Sequence, residues 1–154
     1  MLEWETLKSE FLEDSSSLRD IYVFGATIND WQSLFDELKT IYHLQYTVDG
    51  EPQSMPDFIA EVFATKETAS AAVSFDIGTI TVISHFFTTE EIEFDILARE
   101  VDSQQTLDTL LGFLRLVGDK TQKRVILTND GDEAHPILSY RTDQKPMFYH
   151  HKIT

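Results

Sequence analysis

From Ala71 to Ala98 the chain reads AAVSFDIGTITVISHFFTTEEIEFDILA, and apolar residues alternate with polar ones through most of it. A period of two puts successive side chains on opposite faces of a strand. Turn-forming residues interrupt the run around Gly78 and again at Thr88-Thr89-Glu90. The stretch therefore predicts a three-stranded antiparallel meander with one apolar face, and the rest of the chain must cover that face.

Register decides what the other face carries, because a slip of one residue exchanges the two. A first hairpin turning on Ile77-Gly78 would set Phe75 opposite Ile80 and Val73 opposite Val82, leaving Ser74, Asp76, Thr79 and Thr81 outside. Turn chemistry argues instead for a three-residue loop, Asp76-Ile77-Gly78, since β-branched Ile77 resists a left-handed conformation that glycine accepts. The second turn, as a three-residue loop, pairs Phe86 with Ile92, Ser84 with Phe94 and Val82 with Ile96. Ile83, His85 and Phe87 then share the outer face with Glu91, Glu93 and Asp95. His85 falls across from Glu93 and diagonal to Asp95, within side-chain reach.

Local signals place the remaining elements. Trp4, Leu7, Phe11 and Leu12 have the spacing of a short helix, with a strand from Ser9 to Glu13 turning at Asp14-Ser15-Ser16-Ser17 as the alternative, and Leu18 to Phe24 reads as a strand broken by Gly25-Ala26. Thr27 with Asp30 three residues later forms a capping-box pattern before the stripe Trp31, Leu34, Phe35, Leu38, Ile41 and Tyr42. Leu44, Tyr46 and Val48 alternate in a further strand that ends at Asp49-Gly50-Glu51-Pro52. Ser54, with Pro56 in the first turn, predicts a helix through Phe58, Ile59, Val62 and Phe63. After the meander, Asp102 or Ser103 caps a third helix bearing Leu107, Leu110, Leu111, Leu114 and Val117, with Gly118 just past its end. Phe113 and Leu116 widen its apolar stripe. Lys123 to Thr128 gives another strand, and Ile137 to Arg141 and Pro146 to Tyr149 give a short edge strand and a tail, both kept out of a sheet centre by Pro136 and Pro146.

No repeat, linker or low-complexity tract divides the 154 residues, so residues 1–154 are expected to form a single domain. Its class is α+β, two-layer, with a mainly antiparallel sheet around the central meander and about three helices on one face. The nearest common arrangement is ferredoxin-like.

Composition narrows the function classes. There are 27 Asp and Glu against 12 Lys and Arg, a formal net charge of −15. Such a field repels phosphate backbones and anionic membrane surfaces and attracts basic proteins, so the expected partner is a basic protein rather than nucleic acid or membrane. There is no cysteine, no apolar run of the ~18 residues a membrane helix needs, and the N-terminus is acidic where a signal peptide is basic. A cytoplasmic location is expected. Small, acidic, cysteine-free and α+β, the chain is similar in class to bacterial immunity proteins that neutralise basic toxins, a likeness of composition.

The chemistry-bearing residues are few. His85 with Glu93 and Asp95 offers an imidazole beside carboxylates, suited to acid–base work, metal ligation or an ordinary cross-strand charge pair. Thr128 to Glu133 superficially resembles a calcium loop, but oxygen ligands must precede its glycine at alternating positions, one of which is Ile126. His150-His151 is assigned no role. Tyr42, Tyr46, Phe86, Phe87, Tyr140, Phe148 and Tyr149 could line a groove but are read as core. No GxSxG elbow, Walker loop, GxGxxG turn or HExxH helix occurs, and no cofactor or metal is expected. The leading expectation is a non-enzymatic interaction or inhibitory module, with Glu91, Glu93 and Asp95 as its surface and a homodimer as its state. The alternative is a small-molecule-binding or hydrolytic domain using His85, Glu93 and Asp95.

Overall fold

A computed structural model describes residues 2–144 and 147–151. In chain order the elements are α1 (Trp4–Leu12), β1 (Leu18–Phe24), α2 (Ile28–Ile41), β2 (Gln45–Val48), β3 (Glu51–Gln53), α3 (Ile59–Lys66), β4 (Ala71–Ile77), β5 (Ile80–Thr88), β6 (Glu91–Leu97), α4 (Gln104–Thr121), β7 (Val125–Asn129), β8 (Pro136–Tyr140) and β9 (Phe148–Tyr149). The nine strands form one sheet in the order β3-β2-β4-β5-β6-β1-β7-β8-β9, antiparallel at every step. The class is α+β as expected, but the meander is the middle of a much wider sheet and α1 adds a fourth helix.

The ferredoxin-like arrangement is not formed. Three strands, β4, β5 and β6, separate β1 from β2. Four strand-to-strand steps span about 19 Å, and a 14-residue helix is about 21 Å long. The length of α2 therefore suits a crossing of the whole meander, and its buried stripe lies against it: Phe35 meets Phe86 and Phe94, and Trp31 meets Phe86. Helix α2 starts where the sequence predicts, with Thr27 and Asp30 closing a reciprocal capping box.

All four helices join one core with the inner face of the sheet, through Leu7 and Phe11 of α1, Ile59 and Val62 of α3, and Leu107, Leu110, Phe113 and Leu114 of α4. The apolar breadth of α4 is used within the chain, with Phe113 against Phe75 and Phe94 and the helix packed on α2, β4, β7 and β8. Arg19, on the inner side of β1, is buried but satisfied. Its guanidinium donates to the carbonyls of Glu10 and Glu13 at the C-terminal end of α1, where a cation meets the negative end of the helix dipole.

Several boundaries differ from the sequence reading for identifiable reasons. Gly78-Thr79 makes the first turn, with Gly78 at φ +61, so Ile77 pairs Ile80 and Phe75 pairs Val82. Two-residue hairpins of this kind take glycine first, and the shift by two keeps the apolar face intact. The second turn is Thr89-Glu90, with one extra residue in β5 between His85 and Thr88. This bulge keeps Phe86 in the core and Phe87 outside. Asp49-Gly50, both left-handed, ends β2 as expected, but Glu51 and Pro52 already belong to the returning strand β3, with Pro52 on the edge of the sheet where no ladder donor is needed.

Helix α3 begins at Ile59, not near Ser54. Its first amide is capped from another helix: Gln32 Oε1 accepts from Ile59 N at 2.8 Å. Gly118 lies inside α4 rather than after it, because a Cβ there would stand 2.6 Å from Tyr140 Cδ2; left-handed Gln122 ends the helix instead. Strand β8 is flanked by β7 and β9 and is not an edge, with Pro136 at its first residue. The expectation for Pro146 lies outside the described residues.

Candidate acidic sheet face

The register of β5, β6, β1 and β7 converts the outer face into a grid. One row runs His85, Glu93, Tyr22, Ile126, and the next runs Ile83, Asp95, Asp20, Thr128. A third, toward the β5–β6 turn, sets Glu91 directly beside Phe24. On β5 this row holds Thr88, paired with Glu91, and Phe87, lifted outward by the bulge, precedes it. Strand alternation alone puts Glu91, Glu93 and Asp95 on one side of β6. The sequence places these and His85 on one face, and the fold brings them together.

His85 is opposite Glu93, as the spacing predicts, yet its Nε2 meets the diagonal Asp95 Oδ2 at 2.5 Å. That hydrogen bond holds the imidazole above its ordinary pKa, with burial opposing the rise and the charges of Asp95, Glu93 and Asp20 adding to it. The ring also stacks on Phe87, centroids 5.4 Å apart. On β1, Tyr22 stacks on Phe24 at 5.2 Å. Two short aromatic columns thus stand on either side of the β6 carboxylates.

Asp20 and Tyr22 are members that sequence reasoning missed. Tyr22 is 3% exposed and Asp20 6%. Asp20 Oδ2 accepts from Tyr22 Oη at 3.1 Å and from Gly131 N at 3.0 Å, so the turn once compared with a calcium loop serves as a backbone donor to this carboxylate. Burial raises the Asp20 pKa, and the two donors offset part of the rise. Burial also raises Glu93, offset in part by the Tyr22 hydroxyl, and raises Glu91, to which the charge of Glu133 adds. The Tyr22 phenol is pushed far up by burial and by its acidic neighbours. The only local signal for either residue was that Leu18 to Phe24 reads as a strand, and nothing in that run names β6 as its partner.

The arrangement concentrates negative charge without neutralising it. Among the described residues no Lys or Arg forms an ion pair with Asp20, Glu91, Glu93, Asp95 or Glu133. Nor do the described residues arrange three or more His, Asp or Glu side chains to hold a metal. Two cavities, of about 320 and 690 Å³, open near His43 and Gln45 on the β2–β4 side, and neither is lined by His85, Glu93 or Asp95. Of the other candidates, His150 Nε2 hydrogen-bonds Ser139 Oγ at 2.7 Å. Tyr46, Phe86 and Tyr140 are core, while Phe87 and Phe148 are exposed. Among the described residues no helix is long and apolar enough to cross a membrane.

Comparison with protein-family models, with curated proteins and with solved structures finds no match to this chain.

Proposed function

We propose that this chain is a protein-interaction module of inhibitory, immunity-like type whose outer sheet face docks a basic protein, in a cytoplasmic setting that suits its cysteine-free composition. One observation carries the reading: Glu91 and Glu93, backed by Asp20 and Asp95, are gathered without a Lys or Arg partner among the described residues and flanked by exposed Phe24 and Phe87. Like charges held together cost stability, and an incoming cation removes that cost. Charges at the rim of such an interface act mainly on encounter, so association slows as salt screens them.

The test is capture from source-cell lysate by native protein and by a Glu91→Gln, Glu93→Gln variant, at low and high salt. The reading expects a basic protein retained by the native chain and lost in the variant. The same proteins in equal amount on both would count against this face.

The 2.5 Å His85–Asp95 hydrogen bond favours a second reading, a small-molecule-binding or hydrolytic domain using His85, Glu93 and Asp95. Its test is hydrolysis of chromogenic esters and phosphoesters, with activity abolished in His85→Gln.

A further inference from the structure

The row that begins at His85 continues past Ile126 to Ser139 on β8 and Phe148 on β9. At its far end stands a pair that the acidic face does not use. His150 Nε2 lies 2.7 Å from Ser139 Oγ. The place of the ring is set twice over, because the amide of His150 donates to the Ile137 carbonyl at 2.9 Å and the Phe148 ring meets the imidazole edge to face, centroids 4.5 Å apart. A hydroxyl held against an imidazole fixed in this way has the geometry of a nucleophile with its base.

The charge state suits the same chemistry. Partial burial and the charge of Arg124 hold His150 below its ordinary pKa, so the ring is neutral at pH 7 and able to take a proton. Arg124 stands two residues before Ile126 on the approach to β7, and no carboxylate forms an ion pair with it among the described residues. Its guanidinium is therefore available to a negative charge developing beside the pair. Ser139 is 9% exposed between apolar Ile126 and Phe148, so little water competes for it, while Phe148 on the edge strand is 59% exposed and open to an acyl chain.

We infer that Ser139 and His150 form a nucleophilic dyad that accepts the acyl group of small carboxylic esters. Ser139 Oγ bonds to the ester carbonyl carbon as its proton passes to His150 Nε2, the ring's other proton sitting on Nδ1. Arg124 counters the charge that gathers on the carbonyl oxygen. When the adduct collapses, the bond to the leaving oxygen breaks and that oxygen takes the proton from His150, which leaves the acyl group on Ser139. Water, deprotonated by the same imidazole, then attacks the acyl carbon and releases the acid. An ester with a short apolar acyl group fits better than a phosphoester, since Ile126 and Phe148 flank the hydroxyl and the chain carries a net charge of −15. The inference stands apart from the docking face, because β1 and β7 separate the dyad's strand from the β6 carboxylates.

The experiment treats the full chain at neutral pH with p-nitrophenyl acetate. Expected are a burst of about one nitrophenolate per chain and, in the quenched protein, an acetyl group mapped to Ser139 by mass spectrometry. Ser139→Ala should abolish both, and His150→Gln should slow the burst by about 100-fold or more, the lower range of general base catalysis. Thermal midpoints show whether either variant loosens the sheet edge. Ser139→Cys covers that case, since it keeps a nucleophile beside the ring and should carry the acetyl group on sulfur in a His150-dependent way. Turnover without a burst, lost in both Ser139→Ala and His150→Gln, would mean faster release of the acid and supports the dyad equally. Acetyl groups spread over lysines with Ser139 bare, or a burst unchanged in His150→Gln, would make the Ser139–His150 hydrogen bond a structural one and overturn the inference. Turnover that survives Ser139→Ala, or none above the buffer rate, would overturn it as well.

Discussion

Asp20 and Asp95 stand directly opposite each other on β1 and β6, both nearly buried, and the positive charge available to the pair within its hydrogen bonds is that of His85. Directly opposed like charges destabilise a sheet. The protein tolerates the pairing because each carboxylate has its own donors: the Tyr22 hydroxyl and the Gly131 amide for Asp20, and the His85 imidazole for Asp95.

This arrangement makes stability depend on pH. The folded pKa of His85 lies above its unfolded value of 6.5. The histidine therefore contributes stability that is fully present below 6.5 and lost as pH rises through the folded value. The raised carboxylates of Asp20, Glu91 and Glu93 act with the same sign, their penalty setting in as pH climbs past the unfolded carboxylate value of about 4. Urea midpoints should thus be higher at pH 6 than at pH 8, and His85→Gln should flatten that difference. A midpoint that rises over this interval in the native protein would refute the assignment.

Replacing Asp20 by Asn should stabilise the fold at pH 8 by about 0.5–1 kcal/mol, the scale of a cross-strand charge repulsion. The amide oxygen still accepts from Tyr22 and Gly131, while the charge facing Asp95 is gone. Equilibrium denaturation checks it, and a loss of stability would mean that Asp20 is held by a favourable charge interaction.

Gly118→Ala should destabilise by about 1–3 kcal/mol, the range for overpacking. The ring of Tyr140 cannot swing clear cheaply, since it is buried and its hydroxyl donates to Asp119 Oδ1 at 2.6 Å. Tyr140→Leu in the same background should restore part of the loss; thermal midpoints of the native protein and the two variants decide.

Two-fold self-association was expected from the apolar breadth of α4, and that surface is taken up by α2 and the sheet. Remaining exposed side chains such as Leu12, Ile41 and Phe58 lie on α1, at the end of α2 and just before α3. If the chain dimerises, the acidic face stays outside the contact, so Glu91→Gln with Glu93→Gln should leave the light-scattering mass unchanged. A shift in mass would place the carboxylates in the dimer.

What was legible in the sequence was local. The capping box at Thr27, a cap at Asp102 or Ser103, the stripe of α2 and the alternation of β4 to β6 depend on neighbours within a few residues, and each appears in the fold, with Ser103 as the cap. His85, Glu91, Glu93 and Asp95 share a face for the same reason. What was not legible depends on remote partners. The start of α3 is set by Gln32, the glycine at 118 by Tyr140, and half of the acidic face by the insertion of β1 between β6 and β7.

That insertion also governs how the molecule comes into being on the ribosome. β1 emerges before both of its partner strands, since Leu18 pairs with Leu97 and Arg19 with Asn129. At ~5–20 residues per second, β1 waits on the order of ten seconds with both edges open. No fragment ending before β7 can close the centre of the sheet, so the nascent chain stays an open template for other strands until β7 has been made.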